Sequence, residues 1–127
     1  MEVSEVYNSA FAKLLSLLPE DAPGTVEHDL WKSIHALEQV RSEEAGKTIR
    51  LSRTRQKLKR VGVMKLLEDF ATDTASTEGF DMLIERALPE LTGEAIVLRH
   101  PQHFSEAAVS AARTRLENVG VDTTTLS

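Results

Sequence analysis

Seven basic residues lie within residues 46–62, GKTIRLSRTRQKLKRVG, and no acidic residue lies among them. Lysine and arginine at this density are typical of a surface that binds phosphate or carboxylate groups. The whole chain has a formal net charge of −5, so this stretch, here called the basic segment, differs sharply from the rest of the protein. Its candidate binding residues are Lys47, Arg50, Arg53, Arg55, Lys57, Lys59 and Arg60.

The spacing of these cations predicts an amphipathic helix over residues 47–60. Most of them recur at intervals of three or four residues, which places them in one row on a helix. Arg55 and Lys59 lie beside that row. The neighbouring face carries the less polar residues Leu51, Thr54, Leu58 and Val61. One side of this helix is therefore expected to pack against the protein while the other side displays positive charge.

Like charges at this spacing repel one another by about a few tenths of a kcal/mol per pair, so negative charge is expected nearby. The flanking regions are acidic: residues 1–46 have a net charge of −6 and residues 66–127 of −7, against +8 for residues 47–65. Three sources of negative charge could offset the cations. They are the acidic helices of the chain itself, the phosphates of a nucleic acid and an external acidic surface. That surface would belong to another protein, to a second copy of this chain or to anionic lipid. Among the external partners, the row of arginines favours nucleic acid.

For a nucleic-acid partner, the sequence predicts contact with phosphates and little reading of bases. A helix-turn-helix with its turn at Gly62 would use residues 63–73 for recognition, where a duplex would repel Glu68, Asp69 and Asp73. Aromatic residues make up only 5% of the chain and none lies among the arginines, so a base-stacking platform is not indicated. The expected contacts are charge-based and sensitive to salt.

Motifs for nucleotide binding and catalysis are incomplete. Gly46, Lys47 and Thr48 match the end of a phosphate-binding loop, but Arg41 stands where that loop needs its first glycine. The chain has no cysteine, no HExxH motif and no Gly-x-Ser-x-Gly motif. The sequence therefore predicts a protein that is not an enzyme, with no catalytic residues and no cofactor.

The four histidines are interpreted as structural residues. His28 and His35 lie seven residues apart, about 10 Å along a helix, which is too far for two ligands of one ion. His100 and His103 flank Pro101 and have no acid beside them in the sequence. We expect these rings to bond to backbone or water, and no metal site is predicted.

Apolar spacing and turn residues predict three helices up to the end of the basic segment. Residues 3–18 show one apolar helical face, which a turn rich in proline and glycine ends. From Val26 to Val61 a second pattern recurs at alternating steps of four and three residues, which is a heptad rhythm. Because Gly46 and its polar neighbours interrupt this rhythm, we predict two helices, over residues 26–45 and 48–61. The stretch TIRLS at residues 48–52 also fits a short strand.

Further helices are predicted beyond the basic segment. The apolar spacing indicates short helices over residues 63–70 and 80–88. The apolar run at residues 95–98 is predicted as a helix capped by Thr92, with a buried strand as the alternative. Ser105 is the expected N-cap of a last helix that ends at Gly120.

Together these patterns predict an all-α fold. We expect one compact domain of six to seven short-to-medium helices over residues 1–120, followed by a flexible tail at residues 121–127. An α+β fold, with TIRLS and AIVLR paired as a small two-stranded element, is the fallback. No apolar run is long enough to span a membrane and the first residues lack the features of a signal peptide, so a soluble, cytoplasmic protein is expected.

The predicted function is that of a non-enzymatic helical binding module whose basic helix contacts nucleic-acid phosphates. The alternative is a homo-oligomeric interaction or assembly module. In that alternative the heptad pattern forms an interface and the cations pair with the acidic helices of a neighbouring copy or of another acidic protein. Salt-dependent binding of nucleic acid would favour the first hypothesis, and a solution mass above 14.1 kDa would favour the second.

Overall fold

The computed structural model describes residues 23–126, and the helix predicted over residues 3–18 lies outside this range. Every regular element within the range is helical, which confirms the predicted all-α fold class. The six α-helices found there are α1 (Val26–Ala45), α2 (Ser52–Val61), α3 (Val63–Thr72), α4 (Glu78–Glu85), α5 (Gly93–Arg99) and α6 (Glu106–Asn118). Short 3₁₀ turns occur at Pro89–Leu91, Pro101–His103 and Thr123–Thr125.

Helix α1 has the limits that the sequence predicts. Thr25 caps its start by accepting a backbone N–H of the first turn at 3.2 Å. Gly46 ends the helix in the left-handed conformation with φ 68°, which a residue without a Cβ adopts at little cost. Apolar positions of the heptad rhythm, among them Leu30 and Val40, are buried against other helices of the same chain.

The basic segment forms a shorter helix than predicted. Helix α2 begins at Ser52, so Lys47 and Arg50 precede it and the predicted start at residue 48 is wrong. The backbone of the intervening residues is held by side chains of α1. Ser42 Oγ accepts the Ile49 N–H at 2.8 Å, and Glu38 accepts the Leu51 N–H at 2.8 Å. With these donors satisfied by α1, residues 48–51 form neither a helical turn nor the alternative strand.

Helix α5 lies at the centre of the described fold. All five residues from Glu94 to Leu98 are buried, and they pack against α1, α3 and α6. The hydroxyl of Thr92 accepts the Ala95 N–H at 3.1 Å, and Pro101 follows the end of the helix. The predicted helix is therefore confirmed, because its first turn has the expected cap and its short apolar run is enclosed on all sides by other helices.

Helices α4 and α6 begin at capping hydroxyls. Thr77 accepts the Phe80 N–H at 3.0 Å at the start of α4. Ser105, the predicted N-cap of α6, accepts the Ala108 N–H at 3.1 Å. Its own hydroxyl donates to Glu68 of α3 at 2.6 Å, so the same side chain joins two helices.

The segment after α6 folds back on the core. Val121 packs against the larger cluster of buried residues, and Leu126, with 8% of its surface exposed, belongs to that cluster. Residues 121–126, for which the sequence predicts a flexible tail, are thus in contact with the helices, and Ser127 lies outside the described range. Their apolar positions provide the contact, because burying Val121 and Leu126 removes apolar surface from water.

Two clusters of buried apolar side chains hold the helices together, and α1 takes part in both. Ile34 belongs to the larger cluster, which also contains residues of α3, α5 and α6 and Phe80 of α4. Val40 belongs to the smaller cluster, which includes Leu83 of α4 and Leu91 of the first 3₁₀ turn. None of the helices within residues 23–126 has the length and apolar character needed to cross a bilayer.

Candidate functional site

The seven candidate cations of the basic segment fall into two groups. Arg50, Arg55 and Lys57 form ion pairs with carboxylates of the chain itself. Lys47, Arg53, Lys59 and Arg60 are exposed and form no hydrogen bond or ion pair with any part of the chain that the structure describes. The row predicted from spacing is thus divided, and only part of it faces solvent without a partner.

Glu38 of α1 is the carboxylate around which the first group assembles. It is only 4% exposed and receives two short hydrogen bonds from Arg55, from Nε at 2.7 Å and from Nη2 at 2.6 Å. The Leu51 N–H donates at 2.8 Å, and Arg50 adds a longer contact of 3.4 Å. The parallel donors of Arg55 match the two carboxylate oxygens, a geometry that lysine cannot reproduce.

The charge state of this cluster follows from its contacts. Burial by itself raises the pKa of Glu38, but the hydrogen bonds from Arg55 and Leu51 outweigh burial and lower the pKa below its ordinary value. The hydrogen bonds to Glu38 in turn raise the pKa of Arg55. Both groups therefore carry charge at neutral pH.

Arg55 also covers the aromatic side of α1. Its guanidinium carbon lies 5.1 Å from the centre of the Trp31 ring, within the range of a cation–π contact. The Trp31 ring in turn packs against His35, with 5.9 Å between ring centres. Burial lowers the pKa of His35, and together with the nearby Arg55 and Arg50 it outweighs the opposing charge of Glu38. This part of α2 is therefore a packed contact between helices, and Arg55 is not available to an external phosphate.

Lys57 is held on the other side of α2. Its Nζ lies 2.9 Å from Asp69 of α3, which also pairs with Lys65 at 3.0 Å. Hydrogen bonds from Lys57 and Lys65 lower the pKa of Asp69. One of the acids expected to repel a duplex is thus paired with two cations of the same chain.

The remaining cations of α2, Arg53, Lys59 and Arg60, form what we call the exposed basic face. Lys59 lies beside the line of the other two, about 100° around the helix from Arg60. Arg53 and Arg60 are seven residues apart, which places them on nearly the same line of the helix and about 10 Å apart along its axis. Arg50 stands before the first turn with 62% of its side chain exposed. Helix α2 has no acidic residue in its first turn and no side-chain cap. Nothing negative on α2 itself therefore weakens the positive potential of this face.

The histidines occupy separate places. His28 is buried on α1, and His103 is exposed. His100 Nε2 lies 2.8 Å from Asp29 Oδ2, and Arg99 contacts the same carboxylate at 3.3 Å. Within residues 23–126 no group of three or more histidine, aspartate or glutamate side chains is arranged to hold a metal ion.

Sequence reasoning missed the acids that partner these cations. Glu38 lies within the heptad stretch of α1 among apolar positions, which is the signal that could have identified it as a buried partner for a basic segment. Asp29 and His100 are 71 residues apart, and no local pattern connects them.

Comparisons with protein-family models, with curated protein sequences and with solved structures found no match. The functional argument therefore rests on the geometry of the chain itself.

Proposed function

We propose that the protein is a non-enzymatic helical binding module that contacts nucleic-acid phosphates through the exposed basic face. The observation that carries this proposal is the exposure of Arg53, Lys59 and Arg60 without a partner in the described part of the chain. Neighbouring cations of the same helix are paired with Glu38 and Asp69. The positive potential of these three side chains is therefore not offset by a paired carboxylate within residues 23–126, and a polyanion would offset it.

The dimensions of the face suit a nucleic-acid backbone. Arg53 and Arg60 are separated by about 10 Å along the helix axis. A strand of duplex advances about 3.4 Å per nucleotide, so this distance spans about three nucleotides. Three cations that neutralise phosphates would give a slope of log K against log salt of about −3. Because these contacts are to phosphates, the proposal includes no base preference.

The paired cations support the proposal by holding the helix in place. Arg55 and the Leu51 N–H bind Glu38 of α1, while Lys57 binds Asp69 of α3. These contacts anchor both sides of α2 although none of its residues is fully buried. The exposed basic face therefore stands on a positioned helix, which limits the entropy lost when it binds.

The test is a titration of labelled duplex DNA and RNA at several salt concentrations with two charge-matched variants. The first variant, Arg53→Glu with Arg60→Glu, reverses the exposed basic face. The control, Lys32→Glu with Arg113→Glu, makes the same change in net charge on α1 and α6. Circular dichroism checks that both variants keep the helical fold.

We expect the first variant to lose most of its affinity and the control to keep it, with a salt slope of about −3 for the unaltered protein. Absence of binding at low salt would overturn the proposal. Equal losses in the two variants would also overturn it, since they would show a response to net charge alone. Sedimentation of the same samples tests the assembly alternative, for which a mass above 14.1 kDa is expected.

A further inference from the structure

A cavity of about 210 Å³ lies between α1, α4 and the start of α5, with contributions from α2 and α3. Most of its wall is apolar and comes from large side chains such as Ile34, Leu67, Phe70 and Phe80. The cavity is larger than the roughly 150 Å³ that accommodates a benzene ring and smaller than the roughly 300 Å³ of a site for a drug-sized molecule. Its size suits a single ring or a short aliphatic chain.

Most polar groups of the wall are already bonded within the protein. Thr92 accepts from Ala95 N and donates to Pro89 O, and Glu94 binds Arg115 at 2.8 Å. The exception is Arg41, whose Nε is buried and is the only such side-chain nitrogen or oxygen within residues 23–126 that has no hydrogen-bond partner. A buried N–H without an acceptor is unfavourable, so the Arg41 guanidinium would gain from turning this N–H toward an acceptor bound in the cavity.

Arg41 lines the cavity and 31% of its side chain is exposed, so a carboxylate can reach its outer part. Its Nη2 contacts Glu78 Oε2 at 2.9 Å, but the Glu78 side chain is 75% exposed. An ion pair in that much solvent contributes little, so another carboxylate can replace Glu78. The second acid of the wall, Glu94, is neutralised by Arg115 and therefore repels an incoming anion only weakly.

We propose that this cavity binds a small organic monocarboxylate, with its ring or chain among the apolar side chains and its carboxylate on Arg41. The guanidinium offers parallel N–H groups that match the two oxygens of a carboxylate. The apolar walls select against strongly hydrated anions such as inorganic phosphate. The proposal assigns a ligand site separate from the exposed basic face and does not depend on nucleic-acid binding.

The test uses benzoate as the probe and benzamide as its uncharged analogue of similar shape. Binding is measured by calorimetry and by amide chemical shifts of the full chain, with Gly79 and Gly93 as reporters because both line the cavity. Arg41→Gln removes the guanidinium, and Glu78→Gln removes its competitor. Arg86→Gln is the matched control, since Arg86 forms a comparable exposed pair with Glu44 away from the cavity.

We expect saturable binding of benzoate at one site and at least about tenfold weaker binding of benzamide. Arg41→Gln should weaken benzoate binding by about tenfold or more, Glu78→Gln should strengthen it, and Arg86→Gln should leave it unchanged. The proposal is overturned by absence of saturable binding at millimolar benzoate, or by binding that Arg41→Gln leaves intact. Shifts confined to residues outside the cavity would overturn it as well. If Arg41→Gln does not fold, Glu78→Gln still tests the proposal, because it changes only an exposed side chain. A Glu78→Gln protein that binds benzoate no more strongly than the unaltered protein would then contradict the proposal.

Discussion

Glu38 joins donors from three residues at one buried carboxylate. Two are guanidinium groups, from Arg55 and Arg50, and the third is the backbone N–H of Leu51. Removing this carboxylate from water is costly, and the cost is offset only because its oxygens are occupied by well-aligned donors. Its loss would leave Arg55 without its partner and the Leu51 N–H without an acceptor.

We expect Glu38→Gln to lower the free energy of unfolding by about 3 kcal/mol, as is usual when one member of a buried ion pair is removed. Glu43→Gln on the same helix is the control, because Glu43 is exposed and its replacement should cost at most about 0.5 kcal/mol. Urea unfolding followed by circular dichroism measures both. Equal effects of the two substitutions would show that the buried contacts of Glu38 add no more to the free energy of unfolding than an exposed glutamate does.

The stabilisation by Glu38 is expected to depend on pH. Its pKa in the folded protein lies below the value of about 4.3 that glutamate has in an unfolded chain. The stabilisation is therefore complete above the unfolded pKa and is lost as the pH falls through the folded pKa. Urea unfolding at pH values from about 7 down to about 3 should show the difference between the unaltered protein and Glu38→Gln becoming smaller. A difference that stays constant across this range would contradict the assignment.

At the scale of elements, Arg115 connects three helices. From α6 it donates to Glu94 of α5 and to Phe70 O at the end of α3, each at 2.8 Å, and also to Asp73 O. The carbonyls at the end of α3 lack partners within their own helix, so a cation there supplies both donors and favourable charge. Burial raises the pKa of Glu94, while the hydrogen bond and charge of Arg115 act in the opposite direction and favour the carboxylate.

Replacing Arg115 should therefore destabilise the fold more than replacing its neighbour on α6. We expect Arg115→Met to lower the free energy of unfolding by about 3–5 kcal/mol, because it leaves the Glu94 carboxylate buried without a cation. Arg113→Met, two residues earlier on an exposed position, should change it by at most about 0.5 kcal/mol. Thermal or urea unfolding measures both. A small effect of Arg115→Met would mean that Glu94 is accommodated without its partner.

At the scale of the whole molecule, the basic segment is linked to both acidic flanks. Glu38 comes from the acidic region before it, and Asp69 comes from the acidic region after it.

Helix α1 takes part in both clusters of buried side chains. Because one continuous helix serves both clusters, disrupting either is expected to affect the other.

Unfolding of the two clusters should therefore occur in one transition. Trp31, the only tryptophan, packs against the larger cluster, whereas Val40 belongs to the smaller one. We expect Val40→Ala to cost about 2 kcal/mol and to shift the fluorescence of Trp31 and the circular dichroism signal equally. A shift in circular dichroism alone would show that the two clusters unfold separately.

Local sequence patterns determined most of the described elements. The apolar spacing and the glycine at position 46 predicted α1 correctly, and Thr92 and Ser105 marked the starts of α5 and α6. These features act between residues three or four positions apart, so they can be recognised without the rest of the fold. The start of α2 was wrong because Glu38 and Ser42 of another helix bind the backbone that would have formed its first turn.

The sequence by itself determined the all-α class, the position of the basic segment and the identity of its seven cations. Only the tertiary structure decided that Arg55 and Lys57 are paired, while Arg53, Lys59 and Arg60 face solvent. The physical reason is that an ion pair forms where packing brings two charges within about 4 Å, and the spacing of one helix does not contain that information. The cavity beside Arg41 has the same origin, since its wall is assembled from five helices.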